Sequence, residues 1–522
     1  MSALHRLMVL LWIMVFAAPG LAQMVDQNRL STAVEAARQW RQAHEAEIVA
    51  EFSQLLALPN FGGDQAAIRQ NAQQIVAMFE QRGIAARLLE SAPSNPAVYA
   101  ELPSPGAEHT IMLYVHYDGQ PTSDDLWAHP PFQPRMLSGR LEDDATTIDL
   151  SQAQPPYDRD WRLYARSASD DKAPLIALLA AIEGLREAGI RPAANLKFFF
   201  EGEEEIGSPN LRQMIESHQD LLAADLWLFL DGPVDQSGRQ SLTFGVRGVT
   251  GVDITTYGPE RGLHSGHYGN FSPNPIARLV ALLTSMRDAQ GRVLIDGFYD
   301  EVQPLSADET AVIERLPPRD EHLLDDIGAA AKEMPGERYE LALMRPALNF
   351  KGIRAGEVGA ASRNVIVPSA TASIGFRLAQ GQSIERLREL VEAHWRQQGY
   401  QLINHAPDAR QRREHDRWLR VEWETAGYPA VRTPLGLTGA RQLINIISAL
   451  IDDEVVITPS LGGSLPLAHI TDTLQVPIAL LPIANHDNNQ HAPNENIRLG
   501  HLWDGIETYA AVLATLDLRP AD

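Results

Sequence analysis

Four short apolar runs each lead into residues that bind metal ions. Residues 111–115 precede His116 and Asp118, and residues 196–200 precede Glu201, Glu203, Glu204 and Glu205. Residues 226–230 precede Asp231, and residues 478–483 precede His486, Asp487 and His491. Runs of this length and composition read as buried strands. Ligands of open α/β sheets bind beyond the carboxyl ends of the strands, so these four ends are expected to converge on one crevice. So many carboxylates would repel one another there, in a medium of lowered dielectric. Divalent cations relieve that repulsion. The chain has no cysteine, so any ion must be held by His, Asp and Glu. That mixed set suits zinc, with manganese or cobalt as substitutes. Pairs of ions about 3.5–4 Å apart are used by aminopeptidases.

The elements that must position these residues alternate along the chain. Helical periodicity runs over residues 31–58 and again over 64–81, where Gly83 stops it. Residues 175–187 form a helix between Pro174 and Gly189, and residues 499–516 a final one. Strands alternating with helices mean an α/β sheet with helices on its faces. The middle of the chain differs. Residues 250–256 read as a strand, 275–287 as a helix, 370–377 as a strand with one solvated face, and 384–398 as an amphipathic helix. This is a small α+β domain inserted into the larger one, with boundaries near Phe244 and Gly427. The expected division is a leader at 1–22, a catalytic domain at 23–243 and 428–522, and the insertion at 244–427.

Composition narrows the function. The 522 residues carry 44 Lys and Arg against 67 Asp and Glu, a formal charge of -23. Nucleic acid is thereby disfavoured, because phosphate binding needs a basic surface. Arg6, the apolar run 7–18 and the small residues around Gly20-Leu21-Ala22 read as a secretory leader cleaved before Gln23. The run is short of the roughly 20 residues of a transmembrane helix, and no other stretch is long and apolar enough to span a bilayer. The chain is expected to be exported, to the periplasm or beyond. The acidic segment 139–162, with Asp143, Asp144, Asp149, Pro155 and Pro156, reads as a solvated surface loop beside the chemistry.

Four motifs in combination resemble a known family. They are His116-Tyr117-Asp118-Gly119-Gln120-Pro121, Ser169-Asp170-Asp171-Lys172, Glu201-Gly202-Glu203-Glu204-Glu205-Ile206-Gly207-Ser208 and Asn489-Gln490-His491-Ala492-Pro493-Asn494-Glu495. The family is that of the dinuclear zinc metallopeptidases, which include carnosinase, carboxypeptidase G, aminoacylase and succinyl-diaminopimelate desuccinylase. The resemblance runs over about residues 32–516 and is strongest to the dipeptidase branch. It implies a mixed-sheet catalytic domain flanked by helices, a ferredoxin-like lid that also makes a homodimer, and two zinc ions per subunit. It makes Asp170 the bridge between the ions. His116 and Glu205 would complete different ions, with Asp231 joining one and His491 the other. Asp118 would orient His116, as carboxylates behind metal-bound imidazoles do. Glu204 would be the general base. The Asp170–Asp171 peptide would be cis. His264 would reach a neighbouring subunit's site and steady the oxyanion. Asn364, Arg377, Gly463 and Ser464 would hold the substrate, the guanidinium through its paired donors.

Other positions are read more plainly. Glu203 is expected to be a solvated acid, Glu201 carries no assigned role, and His267, His486 and His501 read as surface or supporting residues. Ala173 stands where the family usually has glycine, a change the turn tolerates unless φ is positive there. The function these features imply is a metal-dependent hydrolase cutting the amide bond of dipeptides or small peptides whose free carboxylate meets Arg377. An N-acyl amino acid deacylase would use the same machinery. A non-catalytic exported binding protein would have lost the base or a ligand, yet all are present.

Overall fold

The computed structural model describes residues 25–451 and 453–519; the leader read at 1–22 lies outside them. The core is an eight-stranded mixed sheet, ordered Ala86–Leu89, Ala97–Leu102, Asn195–Glu201, Thr110–His116, Leu226–Phe229, Ile478–Leu480, Ser241–Thr243 and Val456–Thr458. The four middle strands of catalytic interest run parallel, Thr110–His116 lying between Asn195–Glu201 and Leu226–Phe229. Their shared direction collects four carboxyl ends on one edge. Register sharpens this. His116 pairs with Glu201 and Tyr114 with Phe229, which brings Asp231 level with His116.

The central strands are apolar on both faces because helices cover both. Phe198, Phe199 and Phe200 are all buried, two of them in one core cluster and Phe199 in the other. On the first face pack Gln27–Ala43, Lys172–Glu187, Thr438–Leu450 and Leu499–Thr515. The last is buried around nearly its whole circumference, which matches its lack of a polar stripe. On the second face pack Leu211–Ser217 and Ala468–Leu474.

A second, five-stranded sheet is ordered Ala347–Arg354, Ser369–Leu378, Gly248–Tyr257, Trp418–Trp423 and Gln401–Ile403. Strand Ser369–Leu378 alternates strictly between buried and half-exposed residues, the pattern of a sheet with one covered face. Pro275–Met286 and Ile384–Gln397 contribute Leu279, Leu283, Val391 and Trp395 to that covered side. Gly245–Val246 pairs with Val431–Arg432 where the chain passes between the two sheets.

Two local expectations need correction. The helix read over 31–58 is two helices, Gln27–Ala43 and Glu45–Leu56, broken at His44, whose φ is -126° and whose ring stacks on Trp40. The segment 139–162 is only partly a solvated loop. Asp143 and Asp144 stay exposed, but Ile148 and Leu150 pack against the core and Tyr157 is buried. The segment returns through strand Arg162–Tyr164, which joins Arg135–Leu137 and Asn496–Arg498 in a small sheet. Its apolar residues turn inward while its acids remain in water.

Candidate active site

Asp170 lies in the turn that leads into helix Lys172–Glu187, across a cis peptide bond from Asp171. Its Oδ1 is 2.9 Å from His116 Nε2, and its Oδ2 is 3.1 Å from His491 Nε2. His491 Nε2 is also 3.1 Å from Glu205 Oε2. Two three-residue groups therefore meet at one carboxylate. His116, Asp170 and Asp231 form the first, and Asp170, Glu205 and His491 the second, the offered atoms of each lying within 4.8 Å of one another. Nitrogen and oxygen donors in threes, with coordination positions left over, fit catalytic divalent ions better than structural ones.

Three buried carboxylates hold this arrangement. Asp118 Oδ1 sits 3.4 Å from His116 Nδ1 and also accepts the backbone N–H of Glu204 at 3.1 Å, while Oδ2 accepts that of Glu205 at 3.0 Å. One side chain thus orients the His116 imidazole and the turn that bears Glu204 and Glu205. That turn is a 3-10 helix, Glu204–Ile206, closed by Gly207 at φ 88°. Glu203 is the second. It is buried, and it accepts from Ser94 Oγ, Asn95 N, Asn210 N and Asn210 Nδ2. Its expected solvated position is therefore wrong: four donors from flanking loops compensate its burial. Glu495, fully buried, is the third. It accepts from the N–H groups of Ser167, Ser169 and Asp170 at 2.9–3.0 Å, from Ser169 Oγ at 2.9 Å, and from Arg166 Nη1 at 2.7 Å. The sequence placed Glu495 inside a motif without assigning it a role.

Other supports are local. Lys172 is buried and donates to Leu55 O and Asn71 Oδ1, anchoring the start of the helix behind Asp170. Ala173 is buried within that helix, where no positive φ is required. Gln120 donates to Glu205 Oε2 at 2.8 Å and Gln490 to Asp170 Oδ2 at 3.3 Å. His491 itself has φ 62°, a left-handed conformation uncommon for histidine and concentrated at functional sites.

The charges show what the cluster needs. Burial pushes Asp231 up to about 6; His116 opposes this, and the Asp170 and Glu205 charges add to it. Burial also pushes Glu204 well above the usual carboxylate range, against His116 and with Asp231, Glu205 and Asp170. Hydrogen bonds to Asp170 and Glu205 hold His491 up at about 10. Carboxylates this crowded take up protons or draw imidazolium unless cations are present. The residues fit two divalent ions on chemical grounds. Among the described residues no protein group donates a hydrogen bond to the Glu204 carboxylate, which leaves it free to take a proton.

The substrate-binding candidates fall into two places. Arg377, from strand Ser369–Leu378, donates to Ser464 Oγ at 2.6 Å, and Arg247 N donates to Gly463 O at 3.1 Å. These residues bring the second sheet against the first. Tyr428 feels the charges of both Glu204 and Arg377. Burial, then Glu204, push its phenol up to about 12, against Arg377. Tyr428 and Arg247 carry no motif signal. His264 and Asn364 lie elsewhere on the second domain, both exposed, with Ser265 N donating to Asn364 O at 2.9 Å. Among the described residues no hydrogen bond or ion pair joins either to the cluster. His267 stacks beside His264, ring centroids 4.6 Å apart. His501 is turned to Ile483 O at 3.1 Å, away from ligation.

Fold and site together define a class. The family model of peptidase family M20/M25/M40 matches residues 112–515, so the chain belongs to that family, and it is a metallopeptidase. It is similar to the Cys-Gly metallodipeptidase dug1 of Schizosaccharomyces pombe, 25% identical over 491 residues that cover 90% of this chain and 96% of that one. It is 24% identical to the Beta-Ala-His dipeptidase of Homo sapiens, over 81% of this chain and 78% of the relative. Among solved structures, the M20 family metallo-carboxypeptidase Sso-CP2 from Sulfolobus solfataricus aligns with a TM-score of 0.72 and 26% identity, covering 91% of this chain and 100% of that one. The mixed α/β architecture, a main sheet with a second smaller domain, is the one the motifs led us to expect.

Proposed function

We propose that the chain is an exported dipeptidase that works with two zinc ions and cuts the amide bond of dipeptides with a free carboxylate. The observation that carries this reading is the sharing of Asp170 by two ligand groups, within range of the unpartnered Glu204 carboxylate. His116 and Asp231 would hold one ion, Glu205 and His491 the other, and Asp170 both. Two such ions, when bound, supply Lewis acidity and lower the pKa of water. Glu204 takes a proton from the attacking water and passes it to the leaving amine. Arg377, with Ser464 and Gly463, receives the substrate carboxylate. Similarity to proteins named as dipeptidases favours a dipeptide over an N-acyl amino acid.

Two further parts of the reading rest on sequence. The leader at 1–22 supports export; among the described residues no helix is long and apolar enough to cross a membrane. The exposed His264 and Asn364 suit a homodimer in which each lid completes the other subunit's site. The test is hydrolysis by zinc-loaded protein of matched dipeptides, C-terminally amidated dipeptides and N-acyl amino acids. Cleavage of free dipeptides, lost on amidation, supports the reading; cleavage of N-acyl amino acids alone moves the protein to the deacylases.

A further inference from the structure

A cavity of about 250 Å³ opens beside the cluster. Its lining includes Asp231, His486 and Gly462. Gly462 immediately precedes Gly463 and Ser464, and its carbonyl accepts from Arg247 Nε at 3.0 Å. The cavity thus borders both a metal-ligand candidate and the neighbour of the carboxylate clamp, so a substrate residue held by both lies beside it.

Its walls combine apolar side chains with polar ones such as Asp235, Arg319 and Glu340. Pro233 and Leu461 belong to loops of the main sheet. Leu316, Leu323, Leu343 and Met344 belong to a run of short helices between residues 307 and 343, or flank them. Leu343 and Met344 are only half-buried, as a wall facing an opening must be. A lone hydrophobic residue on a surface needs no explanation, but several apolar side chains converging on one concave site mark a ligand pocket. The charged groups of the wall are satisfied within it. Arg319 pairs with Asp235 at 3.1 Å and with Glu340 at 3.0 Å. No wall cation or anion away from the cluster is therefore left to receive a charged side chain.

We propose that this cavity receives an apolar side chain flanking the cut bond, so that the preferred substrates carry a residue of leucine, methionine or phenylalanine size. The proposal rests on the metallopeptidase reading for the position of that bond. Leu343 lines the cavity and packs against Gly462, its Cδ2 2.9 Å from where a Cβ on that glycine would stand, so its size governs the room available there. Specificity from such a pocket is worth roughly 10–200-fold in kcat/KM per methylene-scale change.

The test compares Gly-Gly with Leu-Gly, Gly-Leu, Phe-Gly and Gly-Phe for the wild-type protein, Leu343→Trp and Leu343→Ala. The expected result is a wild-type preference of at least about tenfold for the bulky residue in one of the two series. Leu343→Trp should abolish that preference by lowering turnover of the bulky peptides at least about tenfold more than that of Gly-Gly, and Leu343→Ala should shift it toward phenylalanine. Titration of the same peptides into Glu204→Gln protein reads the pocket without turnover. Discrimination there that Leu343→Trp removes supports the pocket even if no dipeptide is hydrolysed, which would sink the function alone. Equal binding of Gly-Gly and the bulky peptides, or equal loss for all of them in Leu343→Trp, would overturn the proposal.

Discussion

Glu495 accepts the backbone N–H of Asp170 at 2.9 Å, and that hydrogen bond ties the C-terminal motif to the one carboxylate common to both ligand groups. Glu495 and Arg166 are both buried, joined at 2.7 Å. The pair fixes the turn over residues 166–170 from inside the protein and so places the Asp170 side chain between the two groups that share it.

Removing this support should be costly. Glu495→Ala leaves the Arg166 charge and several donors without a partner, and breaking a buried pair this way costs about 3–5 kcal/mol. We expect a markedly lower melting temperature. Glu495→Gln keeps the size but turns one acceptor oxygen into an NH2 donor facing other donors; it should fold but retain less zinc after dialysis than the wild type. Metal analysis and thermal melts check both, and a Glu495→Gln protein with full zinc and full activity would show that the support is dispensable.

The clamp makes a different prediction. Arg377→Lys keeps the charge but loses the guanidinium fork. The KM for free-carboxylate dipeptides should rise about 10–100-fold, in line with the 1.5–3 kcal/mol of a charged hydrogen bond, with kcat little changed. Slow cleavage of amidated dipeptides should be unaffected by the substitution. An equal loss for both substrates would place Arg377 outside the carboxylate site.

Glu201 yields a pH prediction. It lies buried beneath the cluster, and Tyr114 OH donates to its Oε2 at 2.7 Å. Burial pushes its carboxyl up to about 7 from the usual 4.5. The folded chain then binds a proton that the unfolded chain releases between those values. Its contribution to stability is full below 4.5 and lost as pH rises through 7. Glu201→Gln is neutral throughout, so its melting temperature relative to the wild type should climb between pH 5 and pH 8. A difference that stays flat across that range would mean Glu201 is already ionised in the fold.

Much of this site is legible in the amino-acid sequence, and the reasons differ by residue. His116, Asp231 and the acids after Phe200 follow fully apolar parallel strands, whose ends share an edge by topology. Their convergence is a consequence of fold class and needs no contact information. Glu203 is misleading in sequence, which shows an acidic run and not the Ser94–Asn95 and Asn210 donors that close over it. Tyr428 and Arg247 escape a sequence reading because they enter only through packing of one domain on the other. The break at His44 escapes it because the helical period continues across the residue, so only the backbone angle reveals it.

The central claim is that Glu204 is the base and the Asp170-centred cluster holds the ions. Zinc content and turnover measured together on Glu204→Gln test it most directly. The account predicts two zinc ions per chain, as in the wild type, with turnover lower by about 10²–10⁴-fold. Turnover near the wild-type level with both ions bound would contradict the assignment of Glu204.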